Sequence, residues 1–442
     1  MYCKHCGNLN KKEARFCKKC GKHIVKARFQ WIQNNRFKLF LLSPVVVILF
    51  IYFINAGLLS SYIDIFPFWP TNPKTTTLTC LYAGKNHKAD ATLYGNINTY
   101  YQGHDYSNKE SYIKNGQFNK FVYSNPKDPS IKDLIKNIRD VALANHLNDD
   151  QTLELAACFI QNIPYDEGKA SYVLKQVGNT ANTEQYPYQT LYSNKGICTD
   201  KTYLGSAMLK ELGYGTGIMA FDEQQHMALG ISAPAGYTSY NSKYVYMELT
   251  NQGFPPGLIP SEVDPTNGYP ISTLKAFKQL GPNDDPTSIN LDTAKTIKPP
   301  ALVLDINTGK TYSRIVTTRN LENDIVKLVN SLDSKKTNLQ KAYSNIGYWN
   351  NIQSQRYAEY LATPATTQTC YPVYSYYPNF SSRQNCYTST NISRTLKYSS
   401  YSSAINSYNS AVSNYNNILK DYNSTLDTIN KDITTYQTYQ YN

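Results

Sequence analysis

The stretch that most limits what this chain can fold into is Leu39 to Leu59 (LFLLSPVVVILFIYFINAGLL), which has no charge and is broken only by Ser43, Pro44, Asn55 and Gly57. As a helix its 21 residues are enough to cross the hydrocarbon core of a bilayer. The charge of the 442-residue chain divides at the same place. Residues 1 to 38 hold eleven Lys and Arg against the single acid Glu13, so +10 of the formal +12 lies there and +2 is left for the rest. This concentration argues against a nucleic-acid surface on the larger part and predicts an N-inside, C-outside orientation. A cleaved leader competes with that reading, since small residues follow Asn55. The apolar run is longer than a leader core, however, and it follows a module of its own.

That module is Cys3-x-x-Cys6, ten residues, and Cys17-x-x-Cys20, with Gly7 and Gly21 directly after each pair. Two such knuckles supply four thiolates to one tetrahedral Zn²⁺, and each Gly permits the turn that aims backbone amides at sulfur. It resembles the short zinc ribbon at the start of many prokaryotic membrane proteins. Four thiolates leave no open coordination position, so the zinc is expected to be structural and the module a cytosolic cap. A ribbon that binds a cytosolic partner or nucleic acid is the sharper alternative, and Lys18, Lys19 and Lys22 add to the positive side of the apolar run.

Beyond that run lie Cys80, Cys158, Cys198, Cys370 and Cys386, an odd number that leaves one thiol free. The other four allow three pairings. Cys370 with Cys386, which bracket a short Tyr- and Pro-rich loop, is favoured, followed by Cys80 with Cys158. Cys198 has the context of the free thiol. It lies in Gly196-Ile197-Cys198-Thr199-Asp200-Lys201, and Leu204, Ala207, Met208 and Leu212 then recur at helical spacing up to Gly213, which stops the helix. Cys198 is thus predicted at a helix start, where unpaired amides and the dipole favour a thiolate. His226 opens HMALGIS and Glu248 ends KYVYMEL, both short β-prone runs. Nucleophile, base and orienting carboxylate follow in that order. No GxSxG, HExxH, P-loop or GxGxxG pattern offers a competing chemistry.

The segment from Gln161 to about Thr250 resembles the transglutaminase-like domains of prokaryotes, which share a papain-like thiol fold and include peptidases and amide-crosslinking enzymes. The pieces that carry the resemblance are Gln161-Asn162-Ile163-Pro164-Tyr165, Pro187-Tyr188-Gln189-Thr190-Leu191, the Gly-x-Cys-x-Asp-Lys run, Leu212-Gly213-Tyr214, His226-Met227-Ala228-Leu229-Gly230 and Glu248-Leu249-Thr250. The resemblance implies Cys198 as nucleophile, His226 as base, Glu248 as third member, and Gln161 as an oxyanion-hole donor beside the Cys198 amide. Glu248 departs from the Asp of many members, although a Glu-Thr-Thr form also occurs.

The chain is accordingly read as five parts: a zinc ribbon (1–23), a transmembrane helix (39–59), a Pro-rich tether with aromatic residues Phe66, Phe68 and Trp69 (60–77), an α+β papain-like, transglutaminase-like domain with flanking strands (78–316), and a C-terminal antiparallel α-helical hairpin (319–442). Within it, Leu78 to Tyr123 reads as strands, Ile131 to Ala144 and Asp150 to Ile163 as helices, and Leu302 to Val316 as a hairpin around Asn307-Thr308-Gly309. The region from Phe254 to Pro300 reads as only locally ordered. The terminal hairpin rests on two heptad seams. One runs from Leu321 and Ile325 to Trp349, with Lys335 in a core slot, and the other from Ile405 and Tyr408 to Tyr436.

The expected function is a membrane-anchored, outward-facing thiol enzyme that forms an acyl-enzyme from protein or peptide amides, with hydrolysis favoured over transamidation. The alternative is an inert cell-surface scaffold or adhesion protein that binds through the helical hairpin. Self-association through that hairpin is also open.

Overall fold

The computed structural model describes residues 2–3, 5–11, 14–23, 44–60, 62–104, 108–175, 183–266, 269–271, 279–281, 284, 297–373 and 383–437. Among them no helix is long and apolar enough to cross a membrane, which corrects the expected transmembrane helix. Residues 39–43 of that run lie outside the described residues. Within the described residues the run is helical over 44–55 (α1) and leaves the helix in turns over 56–60. The helix stops because its end is docked on protein. The side-chain carbonyl of Asn55 accepts from Trp69 N at 3.0 Å, the Asn55 backbone carbonyl accepts from Asn96 Nδ2, and Gly57 turns at φ 75° against Asn96 and Tyr100. The expected tether is likewise tied down, with Phe66 buried in the core.

Strands β1 (Pro73–Tyr82) and β2 (Lys85–Tyr94) pair antiparallel through a two-residue turn in which Ala83 and Gly84 both have positive φ. Their alternation buries Leu78, Cys80 and Tyr82 with Ala89, Ala91 and Leu93 on one face. The strands expected to continue to Tyr123 are replaced by α2 (Gly95–Gly103), α3 (Lys109–Lys114) and a 3₁₀ turn at Phe118–Val122. Helices α4 (Ser130–Ala144) and α5 (Asp149–Gln161) follow. A reciprocal pair of hydrogen bonds between Asn148 and Gln151 starts α5. Residues 152–161 of that helix are all buried, and the Cys80–Cys158 disulfide ties it to β1.

Next come α6 (Glu167–Lys175), α7 (Pro187–Ser193) and α8 (Cys198–Glu211), then β3 (Thr216–Phe221), β4 (His226–Ser232), β5 (Tyr244–Met247), the short pair β6 (Glu262–Val263) and β7 (Pro270–Ile271), and β8 (Leu302–Asn307). One antiparallel sheet has the order β5-β4-β3-β8. Both of its faces are covered. Ile218, Met227, Leu229 and Met247 join the main core with α8, whereas Met219, Phe221, Ala228 and Tyr246 form a second cluster behind. The hairpin expected around Asn307 does not form, because β8 pairs with β3 and the chain goes on past Lys310 into α9 (Arg314–Ala362).

Helix α9 is joined by the hairpin β9 (Thr366–Val373) and β10 (Arg383–Thr390) to α10 (Ile392–Gln437), and Cys370 is bonded to Cys386. Near the base the two seams interlock through Ile325, Val329 and Leu332 with Tyr422, Leu426, Ile429 and Ile433. Lys335 is paired in its core slot, to Asp421 at 2.8 Å and the Thr425 hydroxyl at 2.8 Å.

Candidate active site and metal centre

Cys198 is the first residue of α8 and only 5% exposed. The helix begins there because Asp200 reaches back to accept from Ile197 N at 3.0 Å. The same carboxylate accepts from Gln185 N at 3.1 Å and pairs with Lys169 at 2.6 Å, so the helix start is fastened to two other segments. A third is the stretch before α6. Tyr165 bridges Gly196, Gly196 N donates to Pro164 O, and Asp166 N donates to Gly196 O. Two of the quoted sequence pieces thus become neighbours.

His226, the first residue of β4, and Glu248, which follows β5, meet on adjacent strands. His226 Nε2 lies 2.9 Å from Glu248 Oε2, with both side chains fully buried. That leaves Nδ1 for the thiol. Nδ1 is buried without a closed hydrogen bond, and the Cys198 side chain lies close enough to contribute to its proton affinity. Burial alone would lower the imidazole. The Glu248 carboxylate, and after it the Cys198 thiol, outweigh burial and raise His226 from 6.5 to about 10. Glu248 is buried too, which raises it, but His226, Tyr246 and the Thr250 amide together hold it below the usual carboxylate range.

Gln161 is not placed as expected. Its Nε2 donates to Glu248 O and to Phe254 O, each at 2.8 Å, so both N–H groups are committed to backbone and neither is left for an oxyanion. Its part is to hold the segment that carries Glu248. The first-turn amide of Cys198 remains as donor, since helix geometry gives it no partner within α8.

Two residues of the site were missed by sequence reasoning. Tyr246 donates its hydroxyl to Glu248 Oε2 at 2.5 Å, and the alternation along β5, which puts residues 246 and 248 on one face, was the signal for it. Lys201 is fully buried, with Nζ on the carbonyls of Gln161 (3.2 Å), Ile163 (2.8 Å) and Thr250 (3.1 Å). Burial pulls it from 10.5 down to about 7, while the Glu248 charge works for the cation. It ties the start of α8 to the segments that carry Gln161, Ile163 and Thr250. Beside them Tyr165 meets Tyr269 edge to face at 5.3 Å, and burial, followed by the Cys198 and Glu248 charges, raises the Tyr165 phenol.

In the N-terminal module the sulfurs of Cys3, Cys6, Cys17 and Cys20 all lie within 4.8 Å of one another. Cys3 to Cys20 is 3.6 Å and Cys6 to Cys17 is 3.5 Å. Four thiolates at Zn–S distances of about 2.3 Å define a tetrahedron with edges of about 3.8 Å, so the donor set fits Zn²⁺. Gly7 (φ 68°) and Gly21 (φ 64°) make the two turns, and Asn10 Nδ2 lies 3.5 Å from the Cys17 sulfur.

Residues 137–234 match the family described as a transglutaminase-like domain, and residues 2–24 match the zinc-ribbon domain. No curated protein and no solved structure matches the chain. The chain therefore carries a transglutaminase-like domain behind an N-terminal zinc ribbon. The first match contains Gln161, Cys198 and His226 and ends before Glu248.

Proposed function

We propose that the transglutaminase-like domain is a cysteine-dependent amide hydrolase, and that Cys198, His226 and Glu248 are its catalytic residues. The observation that carries this is the buried His226–Glu248 pair on adjacent strands, which leaves a single imidazole nitrogen for a thiol at a helix start. His226 takes the thiol proton as the Cys198 sulfur attacks the substrate carbonyl carbon, and the oxyanion forms against the Cys198 amide. The carbon–nitrogen bond then breaks, with the imidazolium giving its proton to the departing amine. Water next attacks the thioester, its proton passes to the imidazole, and the acid leaves as the sulfur is freed. An amine in place of water would give transamidation. Hydrolysis is the simpler reading, because water is always present and crosslinking needs a site that excludes it. On this reading the domain works outside the cytoplasm, in keeping with the Cys80–Cys158 and Cys370–Cys386 disulfides.

The competing reading, an inert scaffold, draws on the committed Gln161 amide, which leaves fewer oxyanion donors than expected. One experiment separates the two. The full chain is treated with iodoacetamide and, separately, incubated with a mixed peptide and amine pool read by mass spectrometry. An active domain labels at Cys198, loses that label in Cys198→Ala, labels more slowly in His226→Ala, and releases shortened peptides or amine adducts. Labelling indifferent to His226→Ala, with an unchanged pool, would favour the scaffold.

A further inference from the structure

The β9–β10 hairpin has no part in the thiol chemistry. It stands where α9 passes into α10, at the far end of helices of 49 and 46 residues, so about 70 Å of helix separates it from Arg314 at their base. Residues 364 to 391 contain no Asp, Glu or Lys and one Arg. The strand register sets Thr367 opposite Ser389, Thr369 opposite Tyr387, and Tyr371 opposite Asn385. These six side chains share one face, on which the Thr367 and Ser389 hydroxyls are 3.3 Å apart, and the disulfide joins the strands on the other. All six are exposed. Tyr371 and Tyr387, at 59% and 65%, are diagonal neighbours about 7 Å apart.

An isolated two-stranded hairpin is marginal in water, and this one buries almost nothing of itself. The disulfide restricts its unfolded ensemble, and what it thereby orders is a flat face of two phenol rings, three aliphatic hydroxyls and one amide, with Arg383 in line at one end as its single charged position. This scarcity of charge decides what such a face can hold. An anionic partner, whether nucleic acid or acidic lipid, needs several cations, and the strand alternation puts one on this side. A hydrophobic peptide needs an aliphatic pocket, and the face offers only open rings. A neutral polyhydroxylated ring meets both features at once: its C–H side lies on a phenol ring, and its hydroxyls exchange hydrogen bonds with Thr, Ser, Asn and the Tyr hydroxyls.

We propose that this face of the β9–β10 hairpin is a platform for a neutral polysaccharide, which holds the chain to a glycan while the thiol domain works at the other end of the helices. The proposal stands apart from the assignment at Cys198. To test it, the full chain is run in affinity electrophoresis against mannan, dextran and galactan and sedimented with insoluble chitin, with polygalacturonate as an acidic polymer and light scattering for its mass. Retention by at least one neutral polymer is expected. It should survive high salt, fall about tenfold or more in Tyr371→Ala/Tyr387→Ala, and be largely kept in the double Phe variant. Iodoacetamide labelling of Cys198 should not change in either variant. Retention by polygalacturonate alone, by no polymer, or equally by the double Ala variant overturns the proposal. So does a drop in molecular mass in the double Ala variant, which would make the face a contact between copies.

Discussion

Glu248 is wholly buried and yet held below the usual carboxylate range, because every partner it has is a donor: His226 Nε2, the Tyr246 hydroxyl and the Thr250 amide. The effect on His226 is the reverse, from 6.5 up to about 10. A folded value above the unfolded one gives a stabilisation fully present below about pH 6.5 and lost as pH rises through about 10. In the proposed reaction the imidazolium protonates the leaving amine, and it persists over the same range, so the alkaline limb of kcat/KM is expected near pH 10. Glu248→Gln removes the largest cause that raises His226. It should slow turnover by about a thousandfold and move the alkaline limb down toward 6.5. A limb that stays in place would show that Glu248 is not what holds the proton. Cys198, His226 and Glu248 were legible in the sequence because each stands at the start or just past the end of an element with a clear pattern. Lys201 was not, since its three carbonyls come from Gln161, Ile163 and Thr250, and only the fold brings them together.

The contact that sets the distance between the start of α8 and the segment carrying Glu248 is between Gly205 and Leu249. A Cβ at Gly205 would lie 2.2 Å from Leu249 Cδ1 and 3.3 Å from Leu229 Cδ2, so the helix approaches closely only because position 205 is bare. Leu249 is next to Glu248. Gly205→Ala should therefore cost about 1–3 kcal/mol in stability and lower turnover further than that loss explains, through displacement of Glu248. Adding Leu249→Ala should recover turnover in part. If the double variant is no better than the single in both unfolding and turnover, the close approach is not what Gly205 provides. The same scale shows why periodicity served some elements and not others. The heptad seams announced α9 and α10, and Asn148 announced α5. The apolar run from Leu39 looked like one helix to Leu59, but composition could not reveal that Asn55 is held by Trp69 and Asn96. Leu302 to Asn307 read as half of a local hairpin because its true partner, β3, lies more than 80 residues earlier.

For the molecule as a whole, what joins the helical hairpin to the thiol domain is a buried polar knot that no local pattern signals. Glu154 of α5 accepts from Tyr82 of β1 at 2.6 Å and from the Tyr312 hydroxyl, and pairs with Arg314 at 3.1 Å, with side-chain exposures of 1% for Glu154 and 11% for Arg314. One turn away Asp150 accepts from the Ser313 amide and hydroxyl and from Arg314 N, so α5 also starts α9. The Cys80–Cys158 disulfide closes the neighbouring turn between the same two elements, β1 and α5. Removing Glu154 alone strands the guanidinium in a buried setting, whereas removing both charges lets apolar packing replace the pair. Glu154→Leu is expected to cost about 3–5 kcal/mol in unfolding of the thiol domain and to open the chain near Arg314 and Arg319 to trypsin. Glu154→Leu/Arg314→Met should regain most of that stability and close the cut at Arg319. A single variant that loses less than about 1 kcal/mol would mean the knot is solvated and the attachment of α9 rests on Asp150 instead.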